Sequence, residues 1–248
     1  MKRKLEICCY SVESAIDAEK AGAGRIELCD NYSEGGTTPS YASIETAINR
    51  LAIPINVIIR PRGGDFLYSD IEFEIIKQDI IHCKKLGANG IVIGFLKADG
   101  NIDIEKTKEI VQLAKPMELT FHRAFDMCKN PLIALEELKE LGITRILTSG
   151  AKNTASEGKD LLEELVKKAQ DQIIIMPGSG VNEQTISELL QKTKAKEYHS
   201  SAKIFINSKM NYYNKDISMG GVEAVNEFSN IAVDMEKIRK MLDVLEKG

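Results

Sequence analysis

Eight short β-branched or apolar runs alternate with longer segments of helical period along this 248-residue chain, and that alternation narrows the fold more than any other feature. The runs lie near Leu5–Cys8, Arg25–Cys29, Ile55–Arg60, Gly90–Ile93, Glu118–His122, Arg145–Thr148, Ile173–Met176 and Lys196–Ser200. Their starts are roughly 20 to 35 residues apart, as repeated βα units and a parallel sheet require. Eight units without a break predict an α/β fold, a closed (β/α)8 barrel forming one domain over residues 1–248, close to the roughly 250 residues typical of such barrels. An open, doubly wound sheet is the rival.

Helix starts support the reading. Thr38-Pro39 and Asn130-Pro131 each put a capping side chain before a proline at the first helical position. Tyr41, Ile44, Ile48 and Leu51 then recur at helical spacing, and Ile133, Leu138 and Leu141 do so less regularly, each set predicting an apolar stripe against the sheet. Gly22, Gly87 and Gly142 stand where a helix must end in a left-handed turn. The longest irregular stretch, Asn207 to Gly221, falls between the last strand and the final helix.

A net charge of −4 offers no general attraction for nucleic acid or an anionic membrane, which leaves a small molecule or an ion as the expected partner. Met1 to Lys4 run straight into the first strand without a leader-type apolar segment, and no run of about 18 apolar residues occurs, so a soluble cytoplasmic protein is expected. The five cysteines, Cys8, Cys9, Cys29, Cys83 and Cys128, form no C-x-x-C pair and indicate neither a disulfide framework nor a zinc ribbon.

Parity along each strand predicts where the chemistry lies. In a barrel one parity faces the helices and the other the interior, and functional groups gather at the strands' C-terminal ends. With Leu5, Ile7, Ile26 and Leu28 outward, Glu6, Cys8, Glu27 and Cys29 point in. The same rule turns Ile58 and Arg60, Thr120 and His122, and, opposite Tyr198, His199 inward. Glu6, Glu27, Arg60, His122 and His199 should then meet in one polar pocket, too many charges for an ordinary core.

The loops add to it. Arg60-Pro61-Arg62-Gly63-Gly64 joins two guanidiniums to a pair of glycines and suits a carboxylate or phosphate. Asp126 can orient an imidazole, neutralise Arg123 or simply pin its loop. Gly178-Ser179-Gly180 and His199-Ser200 occupy the places from which many barrels build a phosphate site, although glycines are also ordinary turn residues there. Cys8 and Cys29, on neighbouring strands, can share a soft cation such as Cu(I), unless strand stagger separates them and leaves both as small core residues.

Several of these segments resemble the CutC family, traditionally described as copper-homeostasis proteins: Glu6-Ile7-Cys8, Arg25 to Cys29, Ser33 to Ser40 (SEGGTTPS), Ile59 to Ser69 (IRPRGGDFLYS), Phe121 to Asp126 (FHRAFD) and Arg145 to Gly150 (RILTSG). The resemblance implies a TIM barrel, a cytoplasmic homo-oligomer, and Cu(I) held by Cys8 and Cys29. Ser179 departs from it, since a third consecutive glycine is usual there. Two functions follow. One is copper binding through Cys8 and Cys29. The other is an enzyme acting on a small anionic substrate, with Arg60 and Arg62 as clamp, Glu6 or Glu27 as base, His122 as acid or electrophile, and Arg123, Asp126, Gly178, Ser179, Gly180, His199 and Ser200 shaping the pocket.

Overall fold

The computed structural model describes residues 3–214, 216, 217 and 226–248. Eight strands form one parallel sheet: β1 (Lys4–Cys9), β2 (Arg25–Leu28), β3 (Ile55–Ile58), β4 (Gly90–Ile93), β5 (Glu118–Phe121), β6 (Arg145–Thr148), β7 (Ile174–Pro177) and β8 (Glu197–Ser200). Hydrogen-bonded neighbours run from β7 down to β1 and on to β8. The sheet curls round until its ends meet: a Cβ placed on Gly178 after β7 would stand 3.4 Å from the His199 Cβ on β8. This is the expected (β/α)8 barrel.

Eight helices follow in order: α1 (Val12–Lys20), α2 (Tyr41–Arg50), α3 (Asp70–Leu86), α4 (Ile104–Ala114), α5 (Pro131–Leu141), α6 (Lys159–Ala169), α7 (Ile186–Thr193) and α8 (Met235–Lys247). Outward strand residues such as Leu5, Ile7, Ile26, Leu28 and Tyr198 pack with the helices' apolar faces in one continuous core. Inside the barrel a separate small cluster holds Cys8, Cys29, Ile58 and Val92. The two clusters are the two parities of the strands.

Local details differ from the sequence reading in three places. α2 starts at Tyr41, capped by the Ser40 hydroxyl, which accepts from Ser43 N–H at 3.2 Å. Thr38 serves elsewhere: its Oγ1 accepts the Arg60 N–H at 2.9 Å and ties the helix approach to the end of β3. In α5, Asn130 caps as expected, but the buried stripe is Ala134, Leu135 and Leu138, and Ile133 is 56% exposed. Tyr41 is likewise half exposed, leaving Ile44 and Ala47 as the buried residues of α2. After β8 an antiparallel hairpin, β9 (Lys203–Asn207) with β10 (Ser229–Val233), flanks the expected irregular stretch and overlaps it only at Asn207. Residues 215 and 218–221 of that stretch lie outside the described residues.

The barrel floor is ionic. Arg25 and Arg145, the first residues of β2 and β6, are each 1% exposed. Arg25 pairs with Glu6 and, at 2.6 Å, with Glu197. Arg145 reaches Glu197 at 3.0 Å and Glu118 at 2.8 Å, and donates to the Thr120 hydroxyl. Two buried cations thus face two buried carboxylates, with half-exposed Glu118 at the rim.

Breaking a buried pair leaves its partner uncompensated, at a cost of about 3–5 kcal/mol. Arg25→Ala is therefore expected to lower the unfolding free energy by about 3–5 kcal/mol, read as a reduced urea midpoint at unchanged slope. A loss under about 1 kcal/mol, the value of a surface pair, would show that the floor network does not brace the barrel.

Candidate functional site

Above the floor, β1 and β2 set the next groups by register. Cys8 lies opposite Glu27, and Cys9 opposite Leu28. Cys29 follows β2 one residue further on, so the strands are indeed staggered, yet the Cys8 and Cys29 sulfurs approach to 3.5 Å. The Glu27 carboxylate joins them: one ligand atom from each of Cys8, Glu27 and Cys29 lies within 4.8 Å of the others, and all three residues are buried.

His199 bridges this group to the floor. Its Nδ1 faces Glu6 Oε1 at 2.8 Å, and its Nε2 lies 3.7 Å from Glu27 Oε2. Burial opposes ionisation of Glu6, but the Arg25 charge and the His199 contact outweigh it and hold the carboxyl at about 2. Burial likewise opposes charge on His199; contacts with Cys8, Glu6 and Glu27 overcome it and raise the imidazole well above its ordinary value. Cys8 is drawn well below the usual thiol range by the hydrogen bond from Cys29, against burial, with His199 assisting. Burial pushes Cys29 up, and burial together with the Cys8 anion pushes Glu27 up. These shifts favour the charged forms of Glu6, His199 and Cys8 and the neutral forms of Cys29 and Glu27.

These groups open into a cavity of about 770 Å³ at the C-terminal ends of the strands. Arg60 and His122, 6% and 5% exposed, also line it. Arg60 Nη1 donates to the Glu34 and Gly36 carbonyls and Nη2 to the Gly64 carbonyl at 2.8 Å. His122 Nδ1 accepts the Ala124 N–H at 3.1 Å, which puts the ring proton on Nε2. Burial, aided by the Arg60 charge, lowers His122 to about 3, so it is a neutral imidazole. Gly94 makes room for that ring: a Cβ there would collide with the imidazole and with Ala124. Phe66 covers both donors, its ring centroid 4.9 Å from that of His122 and 5.2 Å from Arg60 Cζ.

Of the residues expected in the pocket, Cys8, Glu27, Arg60, His122, Arg123, Ser179, Gly180, His199 and Ser200 do line one cavity. Glu6 sits beneath it, fully buried, and acts on it through His199. Arg62 turns to the outer surface, paired with Asp65 and Glu72 and stacked on Tyr68. Asp126 reaches Arg123 at 2.8 Å and accepts from Thr148, Ser149 and Ala151, so it pins the loop and leaves the imidazole to Ala124. Gly178 packs against Leu147 and His199 behind the cavity wall. Ser179 has φ +69°, a conformation that favours glycine, and its hydroxyl donates to Asn153 O at 2.7 Å.

Arg25, Arg145 and Glu197 escaped the sequence reading. Arg25 shares its parity with Glu27 and Cys29, so extending the rule back to the strand starts would have found it. No spacing signals Lys203 or Lys237, which reach the cavity rim from the hairpin and the last helix.

A family model described as the CutC family matches residues 3–204. A CutC family protein of Parabacteroides distasonis is 49% identical over 96% of this chain and 99% of its own length. A human protein named copper homeostasis protein cutC homolog is 44% identical over 96% of this chain and 87% of its own. A crystal structure of a CutC protein from Streptococcus agalactiae superposes with a TM-score of 0.76 at 34% identity, over 80% of this chain and 98% of that one. Phosphoribosyl anthranilate isomerase from Thermotoga maritima superposes with a TM-score of 0.61 over 99% of this chain and 100% of its own, at 13% identity, and shares the barrel fold alone.

Because the Glu6 carboxyl stands at about 2 against an ordinary 4.5, its contribution to stability is present above about pH 4.5 and is lost as pH falls towards 2. Glu6→Gln is expected to be markedly less stable than the parent at pH 7, with the gap closing as pH is lowered through that window. Urea midpoints of both proteins at pH 7, 4.5 and 2.5 check this, and a gap independent of pH would show that Glu6 is not held ionised.

Proposed function

Since the chain belongs to the CutC family, we propose that it handles copper in a reducing cytoplasm, taking Cu(I) as cargo between Cys8 and Cys29. The observation that carries this reading is the 3.5 Å separation of the two thiol sulfurs. Sulfurs each about 2.3 Å from a shared thiophilic ion stand at most about 4.6 Å apart, so the pair fits a bent two-thiolate seat. Soft thiolates favour Cu(I) over the hard cations that a carboxylate pocket would select. The copper-homeostasis names of the mouse and human relatives point the same way.

The surrounding charges suit such a cargo. The downward shift of Cys8 favours the thiolate a metal needs, and the upward shift of Cys29 makes it the thiol that would release a proton on binding. A Cu(I) bis-thiolate carries one negative charge, which the adjacent His199 imidazolium balances. Glu27, kept neutral by burial and by Cys8, adds no further anion. Cys8 is on the wall of the main cavity, while Cys29 borders a second cavity beside α1 and α2.

The test is a titration of the reduced, metal-free protein with Cu(I) against a competing chelator. Cys8→Ser and Cys29→Ser are each expected to weaken binding by more than about 100-fold, since even the outer partners of metal ligands are worth about 10–100-fold. Affinity should also fall as pH falls, because binding expels a proton. Stoichiometric, tight binding retained by the double variant would sink the proposal.

A further inference from the structure

Copper at the thiols leaves Arg60 and His122, which line the same cavity, without a use. Among the described residues, two buried N–H groups there have no acceptor: His122 Nε2 and Arg60 Nε. Both residues are more than nine-tenths buried and both line the cavity. Buried polar groups in native proteins are nearly always paired, so each orphan calls for an explanation, and at a cavity wall a ligand atom can supply the missing partner.

The two orphans are of one kind. The Ala124 N–H on Nδ1 makes His122 a donor at Nε2. Arg60 has its terminal nitrogens taken by three backbone carbonyls and its Nε left over. It makes no ion pair with a carboxylate among the described residues, so its positive charge is uncompensated at that wall. Phe66 lies within about 5 Å of both and excludes water from them, which strengthens any charge interaction made there.

We infer that His122 Nε2–H and Arg60 Nε–H form a two-donor seat for a carboxylate or carbonyl oxygen of a small organic acid, separate from the thiol pair. The neutral imidazole and the fixed guanidinium accept an oxygen anion without any proton transfer, as preorganised donors do. Phe66 moves aside, or slides over the ligand's flat carboxyl group, as the seat fills.

Long-range nitrogen–proton NMR on the whole protein follows His122 Nε2 directly, with pyruvate, oxalate and malonate as probes. Addition of at least one probe is expected to shift the His122 Nε2 resonance. In parallel calorimetry, His122→Phe should weaken that probe about tenfold or more, the value of a charge-assisted hydrogen bond. His122→Gln, which restores a donor near the Nε2 position, should recover most of the loss. Cys8→Ser/Cys29→Ser should bind the probe like the parent, which separates this seat from the copper site. An unmoved His122 resonance with all three probes, or equal affinity in His122→Phe, would overturn the inference.

Discussion

The Arg25 guanidinium at the barrel floor is the constraint on which the interior depends. It is 1% exposed and bonded to two carboxylates, Glu6 on β1 and Glu197 on β8, so it ties the first strand to the last. Arg145 reaches Glu197 from β6 and extends the tie past β7. An ion buried alone costs several kcal/mol, and each of these charges is tolerable only with its partners in place. The network therefore fixes four strands relative to one another, including those beside the β7–β8 seam, which lacks the ladder hydrogen bonds found between the other neighbours.

From that floor the charge pattern is transmitted upward by contact. Arg25 keeps Glu6 ionised; Glu6 holds Nδ1 of His199; His199 then stands as a cation beside Glu27 and Cys8. The Cys29 hydrogen bond is the larger influence lowering Cys8, and His199 adds to it, while burial and Cys8 raise Glu27, so a favoured thiolate and a favoured neutral carboxyl lie within 4.8 Å of each other. The copper chemistry proposed for the thiols thus rests on an arginine two residue layers below them.

How much of this is legible in the sequence follows from the physics of each part. Strand parity is set by sterics and repeats every two residues, so Glu6, Cys8, Glu27, Ile58, His122 and His199 could be turned inward by inspection, and they are inward. Loop geometry has no such period. Arg62 resembles Arg60 as a residue beside glycines, yet two positions along the chain send it to Glu72 and the surface. Thr38 before Pro39 has the form of a helix cap, but the end of β3 competes for its hydroxyl, and Ser40 caps instead. The β9–β10 hairpin leaves Phe205 59% exposed and so lacks the clean alternation that identifies a half-buried strand.

Stability is a poor reason for such an interior. A barrel of this size can be filled with branched apolar side chains, and replacing buried ion pairs with well-packed hydrophobes is often neutral or stabilising by about 1–4 kcal/mol. Here the inward apolar residues are the cluster of Cys8, Cys29, Ile58 and Val92, together with Leu147 on the cavity wall and Met176 beside Arg25. Ion pairs occupy the floor, where Arg25 Nη1 and Asn56 Oδ1 are left without a partner, and at the mouth Arg60 Nε and His122 Nε2 lack acceptors. What distinguishes the mouth is access: Arg60 and His122 line the cavity, whereas Arg25 and Asn56 do not. That cavity opens at the face where barrels place their ligands, and its lining carries unpartnered hydrogen-bond donors at Arg60 and His122 and sulfur at Cys8.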